Sequence, residues 1–402
     1  LLIQVGGSMH RRWSRMAAVA LIGMATTLVA AQGSAGVAQA VAPTGPPPIP
    51  PVLSVTDLGN VQQNPVINGR DGIMSGEFRG TSYWTFGDTS MSVPGAGGDN
   101  WSDNTLSWTT DLDASDGITL SNDLLDSTGA PTEYLPWTKQ EQQYNYTHDS
   151  SHCTASPCGA ELALWSGPVI PDEPRNRILL PYIEIWRIVG QSGWKTMGGG
   201  IAVWNNPGQA GSKVVRPIEN PGTSMPTLMW GPSDVEFNNG WVGLGPILYT
   251  YGCHPGFLVQ YCQVARVPYA YATDKTHWTY YAGSGVWSTN PADAVTVFDG
   301  GAAGTTIEYN HYLGEYMAIF NDVFSDNVMY RVSYTPWGPW SGEAFLFTGR
   351  AGYNGNTDYA GEAHPEYAQG NGQTQYVTYM HPTGFLKNDI PLVQVVFGQP
   401  DA

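Results

Sequence analysis

Apolar and polar positions along this chain alternate with a period of two over short runs, and no 3.6-residue apolar period persists over a helix-length window. The clearest case is the stretch GRDGIMSGEFRGTSYWTFGDT, Gly69 to Thr89, in which two runs rich in β-formers flank Arg79-Gly80. That dipeptide predicts a hairpin with a two-residue loop. Its register would set Ser75 opposite Trp84, Ile73 opposite Phe86, and Asp71 opposite Asp88. Four further segments have the same form. They are Val169 to Trp186 around a Pro/Asp/Arg/Asn turn, Val235 to Gly252 around Asn238-Asn239-Gly240, Thr305 to Phe320 around Asn310 to Gly314, and His364 to Met380 around Gly370-Asn371-Gly372. More strands are predicted at Val259 to Val267, Asn327 to Tyr334 and Pro391 to Phe397, whereas Gly98 to Glu141 reads as loop with room for a short helix. Five hairpins with outer strands, at intervals of roughly 60–95 residues, fit an all-β, five-bladed β-propeller. Stacking short twisted sheets radially buries both faces of each and leaves only short edges. A two-sheet sandwich with decorations is the competing architecture.

The hairpin register gives Asp71 and Asp88 a chemical meaning. Directly opposed residues on one face have Cβ atoms about 4.5–5.5 Å apart. Two carboxylates that close cannot both ionise freely, so one keeps a proton while the other stays charged. Glycosidic bond cleavage uses such a pair. The bland alternative is that both aspartates merely cap backbone N–H groups at turns and strand ends.

The start of the chain carries a different signal. Arg11, Arg12 and Arg15 precede an apolar run from Met16 to Ala30, and Ala38-Gln39-Ala40 follows. This is the pattern of a secretory signal peptide, with a run too short for a stable membrane anchor. The expected organisation is therefore upstream residues and signal peptide over 1–40, a Pro-rich linker over 41–54, and the propeller over 55–402. Removing the three arginines takes the formal net charge from −17 to −20. So acidic a chain argues against nucleic acid or an anionic membrane as a partner and suits a secreted, monomeric protein. With 49 Gly, 22 Tyr and 15 Trp it has many turns and many aromatic faces, as carbohydrate-handling β proteins often do. Four cysteines in two close pairs, Cys153/Cys158 and Cys253/Cys262, together with export, favour two local disulfides over a zinc site, which would need further ligands at metal spacing. No metal or cofactor is expected.

Other polar residues recur near the ends of the predicted blade strands: Asp234, Tyr309, Asn310, His364 and Glu366, with Trp84 inside the first hairpin. Gathered at one channel mouth they would bind sugar hydroxyls and offer a stacking platform. Singly, each is an ordinary turn or strand-end residue. There is no G-x-S-x-G elbow, P-loop or H-E-x-x-H, so esterase, nucleotide and zinc-protease readings lack their motif.

The run Asn68-Gly69-Arg70-Asp71-Gly72, followed by Tyr83-Trp84-Thr85-Phe86-Gly87-Asp88-Thr89, resembles the opening of the family called domain of unknown function 4185. Ala265-Arg266-Val267-Pro268, Tyr309-Asn310, Gly338-Pro339-Trp340-Ser341, His364-Pro365-Glu366 and Tyr376-Val377-Thr378-Tyr379 extend the resemblance over roughly residues 55–397. It implies a five-bladed propeller with a deep central site. Some members of that family are endo-acting hydrolases of D-arabinofuranose polymers such as arabinogalactan and lipoarabinomannan. In those members two aspartates near the start of the domain are implicated in catalysis, and Asp71 and Asp88 occupy the matching positions. Ile73, where a second glycine is expected, the Cys153–Cys158 loop and the Gly98–Glu141 stretch depart from the pattern. The expectation is a secreted glycoside hydrolase acting on arabinan-type polysaccharide through Asp71 and Asp88, with a non-catalytic carbohydrate-binding propeller as the alternative.

Overall fold

The computed structural model describes residues 45–255, 259–301 and 303–400, so the segment read as a signal peptide lies outside the described residues. The Arg79-Gly80 hairpin forms in the predicted register, with Met74–Phe78 paired to Thr81–Phe86 and Ser75 opposite Trp84. Both loop residues have positive φ, 52° at Arg79 and 80° at Gly80. That is the conformation whose twist matches the flanking strands.

Each predicted hairpin grows into a blade. The first adds Thr105–Thr109 and Asn122–Asp123, both inside the stretch read as loop. The second runs Ile170–Asp172, Arg177–Ile188, Trp194–Asn205 and Val214–Val215, with Ala160–Ser166 paired to the far half of Arg177–Ile188. The third begins Gly240–Leu244, Ile247–Pro255, Gln260–Pro268, and the fourth is Thr306–Asn310, Glu315–Asn321, Asn327–Ser333, Ala344–Thr348. The fifth is Tyr359–Ala363, Thr374–Gly384, Pro391–Phe397 and, from the other end of the chain, Val52–Asn60. That last strand begins within the segment read as a linker. A small sheet of Ile67–Arg70, Thr89–Met91 and Trp101–Ser102 continues the first hairpin beyond Asp71 and Asp88.

The core shows why this is a closed ring. Five separate apolar clusters lie between successive blades, and one of them joins the fifth blade to the first through Ile73, Trp84, Phe86, Tyr367, Tyr376 and Leu392. The second strands are accordingly apolar on both faces, and every residue of Glu315–Asn321 is buried. A blade flanked on both sides has no solvent face, so strict alternation gives way to continuous burial. The innermost strands of all five blades line a channel. Glycine lets them approach: a Cβ at Gly240 would collide with the Thr305 carbonyl oxygen of the next blade. The fold is a five-bladed β-propeller.

Two details differ from the sequence reading. In the third blade the turn falls after Leu244, not at Asn238-Asn239-Gly240, so Gly240 opens a strand instead of turning one. In the fifth, His364 to Gln373 is a connection after the inner strand Tyr359–Ala363, so His364 closes a strand instead of opening one. The expected local disulfides form, and Cys253–Cys262 bridges directly opposed residues of one strand pair. An α-helix, Lys139–His148, starts with a Thr138/Glu141 capping box in the last residues of the stretch read as loop and runs beyond it.

Candidate active site

Asp71 and Asp88 sit where the first hairpin leaves its blade and becomes the small sheet. Their backbones pair, the Asp71 N–H donating to the Asp88 carbonyl at 2.7 Å and the Gly87 N–H to the Asp71 carbonyl at 2.6 Å. Gly72, at φ 62°, makes the break between the strands. The neighbouring Arg70 fixes this corner. Its buried guanidinium donates to Asp123 at 2.9 Å and Ser107 at 2.8 Å and lies 4.1 Å from the Phe86 ring centre. The Asn388 side chain brackets the Arg70 backbone, accepting from its N–H at 3.0 Å and donating to its carbonyl at 2.5 Å. Arg70 thus works structurally and aims its neighbour.

The two carboxylates have different surroundings. Asp71 accepts from the Tyr359 hydroxyl of the fifth blade and, among the described residues, touches no cation. Burial raises its pKa, with the Tyr359 hydrogen bond and the more distant Arg187 charge acting the other way. Asp88 accepts from Arg187 Nη1 at 2.5 Å and from Trp165 Nε1 at 3.1 Å, both on the second blade. Burial also pushes Asp88 up, opposed chiefly by Arg187. The same guanidinium donates to Asp103 at 2.6 Å and to Glu161 at 2.5 Å. A single cation facing three carboxylates has its own pKa raised and stays charged. Asp103, beside Glu133, Asp88 and Glu161, is pushed well above the usual carboxylate range, first by burial and then by Glu133. Of the paired aspartates, Asp88 has a guanidinium in contact that favours its ionised form, and Asp71 has Arg187 only at longer range.

These aspartates open onto a pocket of about 200 Å³ that also includes Ser90, Trp101, Tyr359, Lys387 and Asn388. A larger cavity of about 460 Å³ occupies the channel between the inner strands. The two share no lining residue. Glu366, Tyr309 and Asn310 line the channel cavity, so the expected single polar ring does not form. Strand direction is the reason. Asp71 precedes its inner strand, whereas Asn310 ends one and His364 and Glu366 follow one, which carries them to the opposite end of the channel.

Two residues expected to face sugar do not. Trp84 and His364 are fully buried and stack on each other at 4.2 Å between the first and fifth blades. The His364 ring is bonded on both nitrogens, to Ser75 Oγ and Thr378 Oγ1, each at 2.6 Å, and burial pushes its pKa down to about 3. It is a neutral core residue. Asp234 lies in neither pocket; it caps the Gly231 N–H at 3.0 Å and meets Lys275 Nζ at 3.4 Å. Asn310 is committed to a turn, donating to the Gly372 carbonyl and accepting from the Leu313 N–H. Glu366 accepts from Ser82 Oγ at 2.7 Å, and burial raises its pKa.

Arg187, Trp165 and Tyr359 escape sequence reasoning because each meets the aspartates only across blades, and Asp103 because it joins them through Arg187. One signal was present. Glu184 and Arg187 are the only charges inside the otherwise apolar run ILLPYIEIWRI, Ile178 to Ile188, and a charge in such a strand needs a partner.

Among solved structures, the chain is similar to a presumed hydrolase from Bacteroides ovatus, with 14% identity over 84% of this chain and 87% of that one at a TM-score of 0.50. A GH43_1 enzyme from Xanthomonas citri complexed with xylotriose matches at 11% identity, covering 84% and 89%, with a TM-score of 0.47. The catalytic domain of a Coprinopsis cinerea GH62 alpha-L-arabinofuranosidase matches at 10%, covering 87% and 98%, with a TM-score of 0.43. Identities this low bear on fold and not on reaction. No curated protein matches the sequence. The model of the family described as domain of unknown function (DUF4185) matches residues 54–395, the whole ring from its closing first strand to its last, and the chain belongs to that family.

Proposed function

We propose that this protein is a secreted glycoside hydrolase that cleaves furanosidic polysaccharide of the D-arabinan type. The observation that carries the reading is the asymmetry of the aspartate pair. Asp71 and Asp88 meet across one hairpin, and only Asp88 is held by a guanidinium. Asp71, buried and without a cation, is the proton donor to the leaving-group oxygen. Asp88 remains ionised and places its charge against the oxocarbenium-like transition state. The arabinan assignment rests on the family resemblance of the motifs around these two residues. Export is supported by the N-terminal pattern and by two disulfides, which persist in oxidising compartments.

The test is Asp71→Asn and Asp88→Asn, compared with the unaltered protein by product analysis on arabinan and arabinogalactan. Both variants should fold, and turnover should fall by about 10²–10⁴-fold. Asp71 must be protonated to act, so its loss removes the alkaline limb of the pH profile. Asp88 must be ionised, so its loss removes the acid limb. Normal cleavage by both variants would overturn the assignment. Arabinan binding without turnover in the unaltered protein would identify a carbohydrate-binding module.

A further inference from the structure

A second aromatic feature stands beside Asp88, outside the pocket. Residues 189–193 form the turn joining two long strands of the second blade, and Val189 and Trp194 at its ends are 59% and 60% exposed. The register pairs Trp194 directly with Arg187, the residue that grips Asp88. Directly opposed side chains share a face of the sheet, with Cβ atoms about 5 Å apart. The Trp194 ring meets the Trp165 ring edge-on at 5.1 Å, and Trp165 Nε1 donates to Asp88 at 3.1 Å. The Arg187 guanidinium also lies 5.7 Å from the ring centre of Trp101, which forms part of the pocket. Trp101 and Trp165 therefore both adjoin the Asp88–Arg187 pair, and Trp194 extends the aromatic surface into solvent.

We infer that Trp194, backed by Trp165, is a stacking platform for a further unit of a neutral polysaccharide whose neighbouring unit occupies the aspartate pocket. This rests on the proposed hydrolase reading and deepens it: the substrate is a chain engaged across its length, not a terminal sugar alone. The chemistry is specific in two respects. An exposed indole face suits the C–H face of a sugar ring, and Trp165, already committed to Asp88, holds that indole in place. Arg187 is already shared among Asp88, Asp103 and Glu161, so its charge is not offered to a polyanionic chain of uronates or sulfated sugars.

The experiment measures kcat/KM for polymeric arabinan and for a short arabinofuranoside bearing one sugar and an aryl leaving group, in the unaltered protein, Trp194→Ala and Trp194→Phe. A lost stacking contact is worth about 3- to 10-fold. The ratio of long-chain to short-substrate kcat/KM should fall by that factor in Trp194→Ala, mainly through KM, and Trp194→Phe should recover most of it. Calorimetric titration of an arabinan oligosaccharide into Asp71→Asn protein, with and without Trp194→Ala, reads the platform without turnover and should show weakening of the same size. An unaltered ratio together with unaltered affinity overturns the platform. Normal cleavage by Asp71→Asn and Asp88→Asn overturns the catalytic assignment instead, and the titration still scores Trp194. Equal losses on both substrates, confined to kcat, would mean that Trp194 acts through Arg187 and not on sugar.

Discussion

At the residue scale, the two aspartates differ because of what other blades bring to them. Asp88 has a guanidinium and an indole N–H; Asp71 has a phenol. The Tyr359 hydroxyl donates to Asp71, which favours its ionised form and holds its pKa below the value that burial alone would set. Tyr359→Phe removes that bond while keeping the ring, so the Asp71 pKa should rise further. Because the alkaline limb reports loss of the Asp71 proton, it should move to higher pH, while the acid limb, governed by Asp88, stays in place. A pH–rate profile of the variant checks this, and an alkaline limb that stayed put or moved down would remove Asp71 from the donor role. Arg187 is the counterpart on the other side. Its charge is shared among Asp88, Asp103 and Glu161, and Asp103 is still pushed well above the usual carboxylate range, first by burial and then by Glu133.

At the element scale, the first hairpin sets the position of the aspartate pair. Its two-residue loop places Arg79 and Gly80 at positive φ, and the strands then run in register to the point where Asp71 meets Asp88. Glycine accepts that conformation freely, whereas an arginine there is strained by roughly 1–2 kcal/mol. Asn-Gly is the favoured pair for such a turn. Arg79→Asn should therefore raise stability by about 0.5–1 kcal/mol in denaturant unfolding, with activity retained because the turn lies at the far end of the strands. A loss of stability would mean that the arginine's contact with the Phe78 ring, 5.3 Å away, outweighs the strain.

At the scale of the whole molecule, the ring is closed by strands from opposite ends of the described chain. Val52–Asn60 pairs antiparallel with Pro391–Phe397, and the Gly398 N–H donates to the Pro51 carbonyl at 2.8 Å. Deleting residues 52–60 would leave the fifth blade with an unpaired edge and open a row of backbone groups to other molecules. The expected result is loss of the cooperative thermal transition and aggregation, read by calorimetry and size-exclusion chromatography. A deletion variant that melted cooperatively as a monomer would show that the five interblade cores hold the ring without this strand.

What the sequence determined by itself was local. The hairpin register followed from a two-residue turn between alternating strands, because residues only a few positions apart have few other ways to pair. The same holds for the two disulfides, each closing a short loop. The repeat of hairpins gave the blade count, and Asp71 and Asp88 were legible as a pair because one hairpin contains both. The tertiary structure alone decided which end of the channel each residue reaches and who its partners are. His364 looks, in sequence, like the opening of a strand; it closes one, so it is stacked on Trp84 in an interblade core. Arg187, Trp165 and Tyr359 stand 99, 77 and 288 positions from the aspartates they contact. Their roles depend on strand direction and on which blades become neighbours when the ring closes, and no periodicity along the chain encodes that.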